Sequence, residues 1–309
     1  MRSKSISRHK KSGAYGRFLI IGTGANVKKR YGIYFGVSAI CTALAMLSGC
    51  SFDAAGCVSD DDCRSGRVCD VSGLCVDPDE LENLLSTKTK MIAVCNPNNP
   101  TGAVMSSEIM DRVIALAEDR DCWLLSDEVY RGAELDGVEC RSFAGATDKT
   151  IVNAGLSKAY SLPGLRMGWS VGSESYIERA WSFHDFTVIN VAYLSDWVAS
   201  RILEHSRRKA ILDRTKNHLN HNLDMLLKWG EDFPELTFSR PDAAAITFAK
   251  LNVPIGCEDF IFHLRDNYSV LLTAGKWHGL EGYIRFGYGT PTDYVKKGLE
   301  RVAQYLKKF

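Results

Sequence analysis

Met91-Ile-Ala-Val-Cys-Asn-Pro-Asn-Asn-Pro-Thr-Gly102 sets a five-residue apolar run of strand type against a loop whose prolines and asparagines suit neither helix nor ladder. Beyond the loop, Ser106 is placed to cap a helix and Glu108 suits its first turn. Ile109, Val113, Leu116 and Ala117 then fall on one face at the i, i+4, i+7, i+8 spacing. A second apolar run, Trp123-Leu-Leu-Ser126, leads into Asp127-Glu-Val-Tyr130, and a third, Ile151-Val-Asn-Ala154, ends at Gly155. Strand, helix, strand, strand is the rhythm of a parallel α/β sheet, whose ligands gather at the carboxyl ends of the strands. Asn99, Asp127, Tyr130 and Lys158 all fall at such ends. The strands are apolar enough to need cover on both faces.

Working outward, Lys158 follows the third strand in Gly155-Leu-Ser-Lys-Ala-Tyr160, a setting of small and turn-forming residues. A lysine in a loop is ordinarily a solvated charge. Here Pro163 and Gly164 turn the chain and deliver Arg166, eight residues after Lys158, at the entry to another apolar run, Met167-Gly-Trp-Ser-Val-Gly172. Two cations are thereby directed to one place.

These motifs together resemble the class I/II aminotransferase family of fold-type I pyridoxal-phosphate enzymes. The resemblance runs from about Glu80 to Phe309. It is carried by Asn99 in Asn-Pro-Asn-Asn-Pro-Thr-Gly, Asp127 and Tyr130 in Ser-Asp-Glu-Val-Tyr, Ser157-Lys158, Arg166, and Arg285 in Tyr-Ile-Arg-Phe-Gly-Tyr-Gly. It implies an α/β fold-type I transferase with a mostly parallel large domain and a small α/β carboxyl-terminal domain. The implied cofactor is pyridoxal 5'-phosphate, held by Lys158 as a Schiff base. Asp127 would keep its ring nitrogen protonated, Asn99 and Tyr130 would bond its phenolic oxygen, and Arg166 with Ser157 would pair with its phosphate. Lys158 would also move the substrate proton, and Arg285, with Asn99 beside it, would clamp the substrate carboxylate. The implied reaction moves an amino group between an amino acid and a 2-oxo acid, in a homodimer. A pyridoxal-phosphate lyase, decarboxylase or cyclising enzyme would use the same residues, and an inactive membrane-tethered remnant is the non-enzymatic alternative.

The front of the chain has another character. Residues 1–30 carry Arg2, Lys4, Arg8, Lys10, Lys11, Arg17, Lys28, Lys29 and Arg30 with no acid, and Tyr31–Gly49 carries no charge at all. A basic cluster before such a run suits a secretory signal or a membrane span, and Leu47-Ser-Gly-Cys50 resembles the lipobox of bacterial lipoproteins, with Cys50 the acylated residue. A membrane-anchored lipoprotein is the localisation this implies; the enzyme family implies a cytoplasmic one. Cys57, Cys63, Cys69 and Cys75 follow at six-residue intervals among turn formers. They suit a small disulfide-stapled module of open connectivity better than a zinc site, because the segment has no histidine and the spacing is wide; no metal site is expected. Cys95, Cys122, Cys140 and Cys257 are scattered and suit ordinary thiols. The expected organisation is a leader at 1–50, a cysteine-rich module at 51–79, a partial cofactor-binding domain at 80–190 and a small domain at 191–309. The family's front segment, with its glycine-rich helix start and its ring-stacking aromatic, has no counterpart in residues 1–80. The fold is therefore expected to be truncated at its amino end, with weak cofactor binding, impaired activity and a tendency to associate.

Past Trp169 the pattern turns helical. Ser173 to about Val191 and Trp197 to about Trp229 suit helices; His205, His218 and His221 within them suit surface or internally satisfied positions rather than ligands. Ala243–Ala249, Val270–Thr273 and Tyr283–Gly287 suit short strands, and Asp293 to Lys308 a last amphipathic helix. The formal net charge of +1 gives no reason to expect nucleic acid, and 45% apolar residues over 309 positions suit about two globular domains.

Overall fold

The computed structural model describes residues 68–69, 75–76 and 78–309. The expectations placed on the basic leader, the uncharged run, Cys50, Cys57 and Cys63 lie outside the described residues. Two short strands, β1 (Val68–Cys69) and β2 (Cys75–Val76), pair antiparallel with Cys69 opposite Cys75. Helix α1 (Pro78–Leu84) follows.

Strands β3 (Met91–Cys95), β4 (Trp123–Asp127) and β5 (Thr150–Gly155) lie side by side and parallel, in chain order. Helix α2 (Ser107–Asp119) makes the crossover from β3 to β4, starting where the Ser106 hydroxyl accepts a hydrogen bond from the Ile109 N–H. Its buried stripe of Ile109, Met110, Val113, Leu116 and Ala117 packs on Ile92, Val94, Leu124, Val152 and Val171 of the sheet. Each of these side chains larger than alanine contributes about 1.5–3 kcal/mol relative to exposure. In β3 and β4 fully buried residues alternate with half-buried ones, so of the two faces expected to be covered one is sealed and the other is closed only in part.

Strand β6 (Gly168–Val171) joins the sheet antiparallel to β5. The link between them carries only a 3-10 turn at Pro163–Leu165, and a parallel return requires a long crossover, so the chain can only double back.

Helices α3 (Glu174–Thr187), α4 (Tyr193–Ile202) and α5 (His205–Gly230) then lead to a second sheet. Its strands are β7 (Leu236–Phe238), β8 (Ile246–Leu251), β9 (Thr273–Ala274) and β10 (Tyr283–Gly287), in the order β7-β8-β10-β9 and antiparallel throughout. Helices α6 (Cys257–Tyr268) and α7 (Thr292–Leu306) close its core, in which Phe260, Ile261, Leu264, Ile284 and Val302 are all buried. No helix among the described residues is long and apolar enough to cross a membrane.

Several boundaries differ from the sequence reading for identifiable reasons. The strand expected from Ala243 begins at Ile246, because Ala244 sits at φ 71 and its N–H turns away to the Ala133 carbonyl. The helical pattern from Trp197 to Trp229 is broken at Leu203 and Glu204, where Glu204 pairs with both Arg201 and Arg207. The three-residue β7 was not foreseen; it follows Pro234 and pairs only with β8. His218 is satisfied within the protein, as expected: its Nε2 lies 3.0 Å from the Thr290 carbonyl oxygen, tying α5 to the start of α7. Among the described residues Cys95, Cys122, Cys140 and Cys257 enter no disulfide.

The two sheets meet through the Pro-Asn loop. Gly102 has φ +75, and a Cβ there would fall 2.4 Å from the Pro241 Cβ and 2.7 Å from the Ala243 carbonyl oxygen. Only glycine allows this approach, in which the Gly102 carbonyl accepts from the N–H groups of Asp242 and Ala243.

Candidate active site

The three asparagines of the loop after β3 have separate tasks. Asn96 is buried and accepts from the Met105 N–H at 2.9 Å, shaping the exit toward α2. Asn98 is buried too and accepts from the N–H and hydroxyl of Thr101, closing the turn. Asn99 faces the second sheet, where its Oδ1 accepts from Arg285 Nη1 at 2.8 Å.

Asp127 is the last residue of β4, and its Oδ1 accepts from the Val129 N–H at 3.0 Å, which fixes the carboxylate at the strand end. The same turn brings round Tyr130, which is 7% exposed. Burial pushes its phenol up to about 12, with Cys95 and Asp127 acting in the same direction and the Arg285 charge opposing them. The hydroxyl therefore keeps its proton throughout the neutral range.

Lys158 is exposed, with Nζ 5.7 Å from the centre of the Tyr130 ring. Its loop is tied down on either side. The Ala159 N–H reaches the Val129 carbonyl, and the Leu162 N–H the Leu156 carbonyl. Tyr160 is buried and its hydroxyl accepts from Arg208 Nε at 2.9 Å, while the two terminal nitrogens of Arg208 each donate to Glu139 at 2.6 Å. These hydrogen bonds hold the Glu139 carboxyl below the usual carboxylate range.

Arg285 lies in the middle of β10, with Phe248 of β8 and Thr273 of β9 directly opposite on either side. Residues so paired share one face of the sheet. Arg285 Nη2 donates to the Thr273 hydroxyl at 3.1 Å, so the fork is oriented by Thr273 and Asn99 together. Burial lowers its pKa from the usual guanidinium value, yet it remains a cation.

The fold thus brings Asn99, Asp127, Tyr130, Lys158 and Arg285 together. Arg166 and Ser157 share the Lys158 loop, but among the described residues no hydrogen bond or ion pair joins either to Lys158. Arg166 has a left-handed backbone at φ 54 and is exposed, and its Nη1 donates to the Pro163 carbonyl. Thr273, Arg208 and Glu139 were missed by the sequence reading. Only strand register reveals Thr273, and the Arg208–Glu139 pair is separated by 69 positions in the chain.

The family model for aminotransferase class I and II matches residues 63–302, beginning inside the cysteine-rich stretch and earlier than the seam expected near Glu80. Over 235 residues the chain is 30% identical to a (5-formylfuran-3-yl)methyl phosphate transaminase of Methanocaldococcus jannaschii, covering 74% of this chain and 61% of that protein. An aspartate aminotransferase of Bacillus subtilis is 24% identical, over 75% of this chain and 61% of its own length. Among solved structures, a PLP-dependent aminotransferase from Streptococcus suis superposes with a TM-score of 0.71 at 34% identity, covering 77% of this chain and 62% of that one. A Thermus thermophilus aspartate aminotransferase superposes with a TM-score of 0.67 at 25% identity, covering 74% and 60%. The chain therefore spans about three fifths of the length of the curated relatives it matches. Its fold is that of the fold-type I transferases.

Proposed function

The chain belongs to the class I and II aminotransferase family, and from that premise we propose that it binds pyridoxal 5'-phosphate and transfers an amino group between an amino acid and a 2-oxo acid. The observation that carries the reading is the meeting of an exposed amine, Lys158, with a neutral phenol, Tyr130, beside a strand-end carboxylate, Asp127, and a fork oriented by Asn99, Arg285.

The donor set fits the cofactor. An amine suits its aldehyde, a carboxylate its ring nitrogen, a phenol and an amide its ring oxygen, and the exposed guanidinium of Arg166, with Ser157, its phosphate. When bound, the pyridoxal group supplies an electron sink for the bonds at the substrate's α-carbon. Asp127 favours the protonated form of the ring nitrogen by placing a fixed negative charge at the end of β4. Lys158 Nζ would take the proton from the substrate α-carbon and deliver it to a second carbon, on the cofactor side, rather than restore it; the exposure of the side chain leaves room for the amine to swing between the two positions. The Tyr130 hydroxyl stays a hydrogen-bond donor at neutral pH. Arg285 offers the N–H groups not engaged by Asn99 and Thr273 to the substrate carboxylate.

A homodimer is the partner this reading takes. Its support is a row of exposed apolar side chains along α3, α4 and the link between them, Phe183, Phe186, Ile189, Tyr193, Leu194 and Trp197, with Phe186 87% exposed.

The test is product analysis. The full chain, supplied with pyridoxal phosphate and a panel of amino acids, is expected to yield the matching 2-oxo acid together with an amino acid formed from added 2-oxoglutarate. Release of ammonia or carbon dioxide without amino transfer would overturn the reading.

A further inference from the structure

The turn after β9 carries a polar atom that the reaction as described leaves without a task. Gly275–His278 forms a 3-10 turn pressed hard on the chain that follows it, for a Cβ at Gly275 would fall 2.3 Å from the Leu280 carbonyl oxygen and 2.7 Å from that of Tyr283. Two of its side chains point outward to α6: Lys276 Nζ and Trp277 Nε1 both donate to the carboxylate of Glu258. His278 goes the other way. Its ring stands edge-on to Phe248, with centroids 6.3 Å apart, and Phe248 is the residue directly opposite Arg285 across the β8–β10 ladder. His278 Nε2 is buried and has no hydrogen-bond partner within the protein.

A buried ring nitrogen without a partner is costly to maintain, and such atoms are satisfied by protein, by ordered water or by a bound ligand. The neighbouring row of Thr273, Arg285 and Phe248 already forms one wall of the carboxylate clamp. We propose that His278 is a substrate-contacting residue that shares with Arg285 the carboxylate of the incoming amino acid or 2-oxo acid, donating a ring N–H to it. The inference rests on the aminotransferase reading for the identity of the ligand, and on the geometry of the second sheet for the rest. The ring's charge state agrees with it: burial, aided by the Arg285 charge, holds His278 below the usual imidazole value, so the free site presents a neutral imidazole that does not compete with Arg285 for the anion.

The experiment uses the full chain loaded with pyridoxal phosphate and three forms: wild type, His278→Phe, which keeps an aromatic ring against Phe248, and His278→Asn, which keeps an N–H donor. Loss of a hydrogen bond to a charged group corresponds to a fall in affinity of about ten-fold or more. KM for the amino acid and for the 2-oxo acid is expected to rise by about that factor in His278→Phe, with kcat within about two-fold of wild type, and to recover in part in His278→Asn. Binding of 2-aminoisobutyrate, which carries the carboxylate but has no α-proton to lose, is measured by calorimetry in parallel and does not depend on turnover. An unchanged KM and unchanged 2-aminoisobutyrate affinity in His278→Phe would overturn the proposal, as would a loss confined to kcat or equal losses in the Phe and Asn forms. If wild type fails to turn over, the activity reading has failed. The binding arm then still decides this one: weaker binding in His278→Phe supports it, and equal binding, or none in wild type, overturns it.

Discussion

The parallel sheet and the antiparallel sheet hold their shares of the site in different ways. On the first, Asn99, Asp127, Tyr130 and Lys158 stand at or beyond the last residue of a strand, on loops stitched together by backbone hydrogen bonds such as Ala159 N–H to Val129 C=O. On the second, Arg285 stands in mid-strand with a neighbour on each flank, Phe248 and Thr273. The difference follows the tasks. On the proposed reading Lys158, exposed on a loop, must swing to move a proton between two atoms. Arg285, proposed to orient a carboxylate, must not, and a side chain on a rigid strand is held more closely than one on a loop.

The contrast can be broken most severely at the lysine. Lys158→Ala is expected to lower the transamination rate by about 10³-fold or more, since on the proposed reading it removes both the cofactor's attachment and the proton carrier. Because the side chain is exposed, the melting temperature should stay within a degree or two of wild type, read by calorimetry on the cofactor-free protein. On the rigid side, Arg285→Lys keeps the charge but loses the planar fork that Asn99 and Thr273 orient. Steady-state kinetics are expected to show kcat/KM reduced by about 100-fold, carried mainly by KM. Were the loss carried by kcat instead, Arg285 would not be acting as a positioning clamp.

The smallest expected effect sharpens the account of the lysine loop. Glu139→Gln weakens the bidentate grip on Arg208, which in turn holds the Tyr160 hydroxyl. The Glu139 pKa is depressed in the folded state, so its contribution is complete above the usual carboxylate value and is lost as pH falls through the folded one. A destabilisation of about 1 kcal/mol is expected at pH 7 by urea titration, shrinking as the pH is taken below about 4. A gap that stays constant with pH would show that the carboxylate's charge is not what Arg208 senses.

The same contrast explains what could be read from the chain. Met91–Cys95 was legible to the residue and the α2 stripe in all but Met110, because an apolar run closed by Pro and Asn and a 3.6-residue period are both local signals. The groups at strand ends were legible for the same reason, each lying within a few residues of its strand. Thr273 and Phe248 were not, since their service to Arg285 depends on register between strands far apart in sequence. The reversal of β6 was implicit in the short link through Pro163 and Gly164, which leaves no room for a crossover helix. The break between α4 and α5 carries neither glycine nor proline, so no local residue announces it. Arg166 shows the limit of motif reading: its place on the loop was foreseen, but its bond to the Pro163 carbonyl was not.

The central claim is that Lys158 is the residue that carries the cofactor. It is tested most directly by loading the full chain with pyridoxal phosphate, reducing it with borohydride and mapping the modified peptide. The account predicts a single pyridoxyl label on Lys158, between Ser157 and Ala159. A label on any other lysine, with Lys158 unmodified, would contradict it.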